Sequence, residues 1–288
     1  DQESYWDDIF AEDAQRFTIT EEYRVYLSDG DSFPITPSFT KTLTDIVTFS
    51  ETDYAILTIP GIVEEHFEDN EWTFELTDFS GDGRMDIVRL KAHPDQTFYY
   101  SEYRSDGDDF TYLSGPSSID GVTNTIYQHG IRIPESYRYF VDVNGDGMSD
   151  LFFALKVGNS QVVRVYLSDG TGYNTGSVLS HTLGSYITQD ILTSAPESVV
   201  IPADINGDGL MDIAYFYKSG STGLCKTWLF TGDDWVAGGQ TNSFTWRNDA
   251  DFLVMDTNGD GRADVAHTYK DGSTEKLTLW QSRGDYFA

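Results

Sequence analysis

Cysteine is almost missing from this chain: Cys225 is the only one in 288 residues. That excludes an intramolecular disulfide and any zinc or iron–sulfur site built on thiolates. A lone thiol does not assign a redox compartment. Basic residues are scarce too, 18 Lys and Arg against 48 Asp and Glu, for a net charge of −30. Nucleic acid and anionic membrane surfaces carry the same sign and are excluded as natural partners. No apolar run is long enough for a membrane-spanning helix, so no membrane insertion is expected. No basic segment followed by an apolar stretch opens the sequence. Residue 1 falls among strand-like residues, so the expectation is a mature protein or a piece cut from a longer one, with neighbouring domains as its partners. Apolar periodicity of 3.6 residues is nowhere sustained, which predicts little helix. The five histidines, His66, His93, His129, His181 and His267, form no HExxH motif and no close pair. There is no GxSxG elbow and no GxxxxGK[ST] phosphate loop. Zinc hydrolysis, serine hydrolysis and nucleotide binding therefore have no support.

What the chain does have is a repeat. The stretches Asp78-Phe-Ser-Gly-Asp-Gly-Arg-Met-Asp86, Asp142-Val-Asn-Gly-Asp-Gly-Met-Ser-Asp150, Asp204-Ile-Asn-Gly-Asp-Gly-Leu-Met-Asp212 and Asp256-Thr-Asn-Gly-Asp-Gly-Arg-Ala-Asp264 share the pattern D-x-[NS]-G-D-G-x-x-D. Their starts at 78, 142, 204 and 256 are spaced by 64, 62 and 52 residues. Repeats at such periods decide the architecture before anything else does. Short apolar runs flank each loop: Trp72–Leu76, Tyr137–Val141, Val199–Ile201 and Phe252–Met255 before, and Ile87–Leu90, Leu151–Leu155, Ile213–Tyr217 and Val265–Tyr269 after. They are β-branched and aromatic and are bounded by Gly and Asp, which is strand chemistry.

A second element follows. Arg24-Val-Tyr-Leu-Ser-Asp-Gly30 and Arg164-Val-Tyr-Leu-Ser-Asp-Gly170 are identical, with looser copies at Tyr103–Gly107, Trp228–Gly232 and Leu279–Gly284. An aromatic stands after each turn: Phe33, Phe110, Tyr173, Trp235 and Tyr286. Asp-Gly after alternating apolar residues signals a hairpin. Each unit thus reads strand, Asp loop, strand, strand, Gly turn, strand. Two degenerate copies, around Asp8-Ile-Phe and Asp45-Ile-Val-Thr-Phe, keep no Asp loop. The expected fold is all-β: a β-propeller of about five to six four-stranded blades, in one domain over 1–288. Residues 1–69 would hold degenerate blades, and 70–288 those with loops. A β-solenoid is the competing architecture, but its turns are much shorter than these repeats.

The loop chemistry points to calcium, which takes 6–8 oxygen ligands. Alternate positions supply oxygens: 1, 3, 5 and 9 by side chains, and 7 by its backbone carbonyl. The expected ligands are Asp78, Ser80, Asp82, Arg84 and Asp86; Asp142, Asn144, Asp146, Met148 and Asp150; Asp204, Asn206, Asp208, Leu210 and Asp212; and Asp256, Asn258, Asp260, Arg262 and Asp264. Three carboxylates facing one point repel unless a cation joins them. Gly at positions 4 and 6 permits the positive φ of a tight turn. An EF-hand is excluded, because it needs Glu at position 12 and these loops have Arg89, Phe153, Tyr215 and His267 there. Simple Asx turns on solvated hairpins are the bland alternative, and four copies with the same five positions weigh against it. About four ions are expected, with the Asp78 site weakest because Ser80 replaces an amide oxygen.

These loops and their flanking strands resemble the FG-GAP and VCBS repeats, best over 70–288. The resemblance implies a calcium-binding propeller of the integrin α-subunit kind, with ligand roles at the positions just named. It implies an adhesion, lectin or toxin-associated role, with bacterial secreted and toxin-associated members nearest in style. The resulting expectation is a non-enzymatic interaction module outside the cell or at its surface, with a protein or glycan partner. A structural or gating propeller within a larger toxin or adhesin is the alternative. An accessory or catalytic domain of a secreted carbohydrate-active enzyme ranks lower, since it needs a carboxylate pair outside the loops. Arg283-Gly284-Asp285 spells an integrin-recognition tripeptide. It occupies the Gly turn of the last repeat, so a plain hairpin turn is the simpler expectation, and its exposure keeps it a candidate partner contact. Trp6, Trp72, Trp228, Trp235, Trp246 and Trp280 are expected to fill space between blades, with sugar stacking as the alternative.

Overall fold

The computed structural model describes residues 16–25, 39–48, 73–92, 97–107, 109–120, 125–128, 131–134, 137–185, 198–241, 243–247 and 250–288. His66, His93, His129, Trp6, Trp72 and the Asp8 copy lie outside them. The chain divides into two compact units, residues 1–70 with 106–111, and residues 71–105 with 112–288. In the first, β1 (Arg16–Val25) and β2 (Phe39–Thr48) form an antiparallel hairpin.

From residue 73 onward the described strands form a series of antiparallel sheets in sequence order. Sheet I contains β3 (Thr73–Thr77), β4 (Asp86–Ala92), β5 (Thr97–Ser105) and β6 (Phe110–Asp120). A short hairpin, β7 (Thr125–Gln128) and β8 (Ile131–Pro134), follows. Sheet II contains β9 (Tyr137–Val141), β10 (Asp150–Val157), β11 (Ser160–Ser168) and β12 (Tyr173–Ser185). Sheet III contains β13 (Ser198–Ala203), β14 (Asp212–Ser219), β15 (Thr222–Phe230) and β16 (Trp235–Gln240), with the short β17 (Phe244–Thr245) also on β15. Sheet IV contains β18 (Asp251–Met255), β19 (Asp264–Asp271) and β20 (Thr274–Trp280). Every Asp loop joins the first and second strands of its sheet, in the order the sequence implies.

Successive sheets pack face to face. Val88 and Leu90 meet Leu151 and Phe153 between sheets I and II. Phe152 and Ala154 meet Ile213 and Tyr215 between II and III, and Ala214 and Phe216 meet Val265 between III and IV. Side chains alternate along a strand, so β10 sends Leu151, Phe153 and Leu155 one way and Phe152 and Ala154 the other. All five are essentially unexposed. Burial on both faces explains why that strand is an unbroken apolar run rather than an alternating one. Aromatics fill the gaps. Phe98 and Phe153 meet edge-on at 5.1 Å, and Phe216 stacks on Phe252 at 4.4 Å. Trp228, Trp235 and Trp246 are buried, which makes them packing residues rather than sugar platforms.

The buried aromatics after the Gly turns share one register. Tyr286 is 36% exposed, and Phe287 is the buried one. The turns explain it: the N–H groups of Asp106, Asp169, Thr231 and Arg283 bond the carbonyls of Asp109, Gly172, Asp234 and Tyr286. One residue beyond each acceptor stand Phe110, Tyr173, Trp235 and Phe287, all buried. Counting from the hydrogen bond, not from the glycine, gives the register.

Candidate functional site: a row of acidic loops

The four loops have one backbone design. At position 1, Asp142 accepts the N–H groups of Gly145, Asp146 and Gly147 at 2.7, 3.1 and 2.8 Å. Asp78, Asp204 and Asp256 bind the matching three amides of their own loops. Concentrating three amides on one carboxylate requires a sharply curled chain. Gly145 and Gly147 supply it with φ of 77° and 87°, a region costly for residues with a Cβ. The Gly261 N–H, foremost among its amides, holds Asp256 below the ordinary carboxylate range.

Positions 3 and 5 face each other. Asn144 accepts the Asp146 N–H at 3.0 Å and donates its amide to the Asp146 carboxylate at 2.9 Å; Asn206 and Asp208 repeat this. Position 5 also accepts the N–H of position 7 in all four loops. The loops then divide by residue 7. Where it is Arg, the guanidinium reaches the position 5 carboxylate: Arg84 to Asp82 at 3.1 Å and Arg262 to Asp260 at 2.6 Å. Arg104 also approaches Asp82, at 3.4 Å. Arg262 holds Asp260 below its ordinary range. In the middle loops position 7 is Met148 or Leu210, and no guanidinium is available from it.

Position 9 is a buried clamp, which the sequence alone did not reveal. Asp86, Asp150, Asp212 and Asp264 are fully buried. Asp150 accepts Val143 N–H at 2.9 Å from the start of its loop and Ser168 N–H at 2.8 Å from the end of the third strand. Asp212 does the same with Ile205 and Phe230, and Asp264 with Thr257 and Ser282. Asp86 takes Ser80 and Ser105. Burial pushes the carboxyls of Asp150 and Asp212 up to about 7 against the pull of those amides, and neighbouring loop carboxylates push the same way. The readable signal was spacing: each partner at the end of the third strand, or just beyond it for Ser282, lies 18 or 19 residues after its Asp.

The loops also touch one another. Ser149 N–H bonds the Asp78 carbonyl at 2.8 Å, Met211 N–H the Val143 carbonyl at 3.0 Å, and Ala263 N–H the Asp204 carbonyl at 2.7 Å. Each donor is position 8 of one loop, and each acceptor is position 1 or 2 of the loop before. A Cβ on Gly81 would lie 2.7 Å from Met148 Cγ, and one on Gly207 would lie 3.1 Å from Arg262 Cγ. In these two loops position 4 is therefore glycine for two reasons, its φ and the residue 7 side chain of the next loop. Two serines of the Leu-Ser-Asp-Gly type of element add hydroxyl links: Ser168 donates to the Phe79 carbonyl at 2.7 Å, and Ser282 to the Ile205 carbonyl. Replacing Ser168 with Ala should cost about 1–3 kcal/mol, the scale for leaving a buried carbonyl unpaired. A urea midpoint equal to that of the parent chain would show the link to be idle.

The donor set suits a hard divalent cation. Three carboxylates and an amide or hydroxyl oxygen lie within each nine-residue loop. Each carboxylate oxygen that accepts one N–H keeps further acceptor capacity. The guanidinium groups on Asp82 and Asp260 show that position 5 already draws positive charge. Among the described residues, no three His, Cys, Asp or Glu side chains converge as a preformed metal cage. The carboxylates at positions 1 and 9 are directed to backbone amides instead.

The remaining candidates lie elsewhere. Arg283 and Asp285 expose their side chains on the last Gly turn. The Asp285 carbonyl is held by Gly239 N–H at 2.7 Å and by the Thr227 hydroxyl. His181 contacts Asp234 at 3.0 Å beside Trp228 and Trp235. His267 is buried within a ring of Phe244, Phe252 and Trp280.

Three solved structures show likeness. A lectin of Agrocybe aegerita that recognises non-reducing terminal N-acetylglucosamine is 21% identical, with a TM-score of 0.46, over 74% of this chain and 49% of its own. The Tc holotoxin pore of Photorhabdus luminescens is 16% identical, with a TM-score of 0.38, over 93% of this chain and 13% of its own. The exotype rhamnogalacturonan lyase YesX is 12% identical, with a TM-score of 0.42, over 86% of this chain and 51% of its own. The chain thus spans about half the length of the lectin and the lyase and a small part of the toxin. No curated protein sequence matches it. Residues 142–215 match the FG-GAP-like repeat, a stretch that runs from one Asp loop through the next.

Proposed function

We propose that this chain is a non-enzymatic, calcium-stabilised β-propeller module of about five to six blades that binds a protein or glycan partner outside the cell. One observation carries the proposal: four loops with the same acidic donor set, hydrogen-bonded in a row at corresponding ends of successive sheets. Asp142, Asn144, Asp146 and Asp150 would hold an ion with the Met148 carbonyl, and the equivalent residues of the other loops would do the same. A bound cation supplies positive charge where carboxylates crowd, and its affinity for the folded chain alone adds stability. Millimolar calcium is an extracellular condition, which is why the module is assigned there. Among the described residues, no helix is long and apolar enough to cross a membrane. Arg84 and Arg104 share Asp82, which joins Ser80 as a reason for the first loop to bind most weakly.

A second role, docking within a larger toxin or adhesin, is favoured by sheet IV. Its outer face exposes Leu253, Met255, Leu277 and Leu279 at 41–66%. The register-matched residues of sheet III, Ile201, Ala203, Cys225 and Thr227, are buried. Exposed apolar strips of this kind mark contact surfaces.

Calorimetric titration with calcium tests the metal part: saturable binding of about four ions is expected, and an absence of binding heat overturns it. A glycan array and a cell-binding assay with the isolated chain separate the two roles. Hits that vanish in EDTA support a recognition module, whereas a silent array and no cell binding leave the docking role.

A further inference from the structure

We infer that the four loops bind calcium as a positively coupled series, because the peptide that offers each position 7 carbonyl is aimed by the loop before it. The inference rests on the calcium proposal above. A residue's N–H and the preceding residue's carbonyl belong to one rigid peptide unit. The N–H groups of Ser149, Met211 and Ala263 therefore share their planes with the carbonyls of Met148, Leu210 and Arg262. Those three carbonyls are the backbone donors of the second, third and fourth loops. The same three N–H groups bond the carbonyls of Asp78, Val143 and Asp204. Asp78 and Asp204 are position 1 of the preceding loop, and Val143 follows position 1.

Each link therefore joins the first residues of one loop to the backbone donor of the next. A cation drawing on the Met148 carbonyl polarises that peptide and makes Ser149 N–H a stronger donor to Asp78. A first loop fixed by its own ion in turn offers Ser149 a fixed acceptor. Coupling free energies are reciprocal, so each loop gains what it gives. Packing runs along the same path: position 4 of each of the first three loops lies against residue 7 or its backbone neighbours in the next, as with Gly145 and the Gly209 carbonyl at 3.3 Å. At the far end, a Cβ on Gly259 would meet nothing within 4 Å, so the fourth loop takes a link and passes none on among the described residues.

The test is a calcium titration of the full chain followed by the NMR amide signals of Gly83, Gly147, Gly209 and Gly261, which read each loop separately. Asp208→Asn weakens the third loop at an exposed carboxylate. Calcium affinity at the second and fourth loops should then fall about fivefold, the low end of ordinary coupling, and that of the first loop, one link further away, by less. Ala263→Pro removes the N–H of the last link without touching a side-chain donor. It should abolish the effect of Asp208→Asn on the fourth loop. If the second and fourth loops of Asp208→Asn titrate as in the parent, the coupling is overturned and calcium binding stands. If no glycine amide of the parent responds to calcium, the calcium proposal itself fails.

Discussion

Chelating calcium should lower the melting temperature of this protein by roughly 20 °C or more. At a free concentration of about one hundred times its dissociation constant, an ion that binds only the folded chain adds about 2.7 kcal/mol. Four such ions add about 11 kcal/mol. For domains of about 150–250 residues each kcal/mol moves the melting temperature by about 2–4 °C, which gives about 20–40 °C. Charge sharpens the effect, because the chain carries −30 and self-repulsion grows once the cations leave. Scanning calorimetry in calcium and in EDTA is the measurement. Two controls separate bound ions from general screening. One molar sodium chloride screens distant charges and should recover only a minor part of the loss in EDTA. Magnesium, which demands tight octahedral geometry, should protect less than calcium. Equal melting temperatures in calcium and EDTA would remove the metal from the stability of the fold, and full recovery by salt would remove the specific sites.

Most of the fold was legible because the relevant information sits in side-chain identity. The loops announce themselves by Asp at positions 1, 5 and 9, and the strands around them by β-branched and aromatic runs. The order strand, loop, strand, strand, turn, strand follows from those two patterns. Backbone contacts write no residue preference, so the links from Ser149, Met211 and Ala263 to the preceding loops left no mark in the sequence. The second duty of position 4 was hidden behind the first: Gly81 and Gly207 satisfy the φ argument before their contact with the next loop is considered. Counting from glycine does not single out Phe287 over Tyr286, whereas the hydrogen bond of the turn does. Ser168 and Ser282 carried a readable signal, a recurrent serine at fixed distance from the buried Asp, but its meaning needed the position of the neighbouring loop. The ligand set expected from the sequence depends on side-chain directions about a cation, which alternation along nine residues implies only in outline.

Position 9 carries the other large expectation: Asp212→Ala should cost about 3–6 kcal/mol even in EDTA. The Asp212 carboxylate is fully buried and holds two separate segments, Ile205 N–H at 3.0 Å and Phe230 N–H at 2.8 Å. Above about pH 7, where the raised carboxyl of Asp212 is ionised, hydrogen bonds to it contribute about 1.5–3 kcal/mol each, and alanine leaves both amides without that acceptor among buried residues. Asp212→Asn keeps one carbonyl oxygen and should lose about half as much. Asp208→Asn, at an exposed carboxylate of the same loop, should leave the urea midpoint in EDTA nearly unchanged while weakening calcium binding. The three variants separate two duties that one motif combines. If Asp208→Asn in EDTA is as harmful as Asp212→Ala, position 9 is no special clamp. If Asp212→Ala harms the protein only when calcium is present, its burial serves the ion alone. Destabilisation in both conditions means that the ninth residue ties the loop to the third strand of its sheet, so each loop is built into its sheet before any cation is counted.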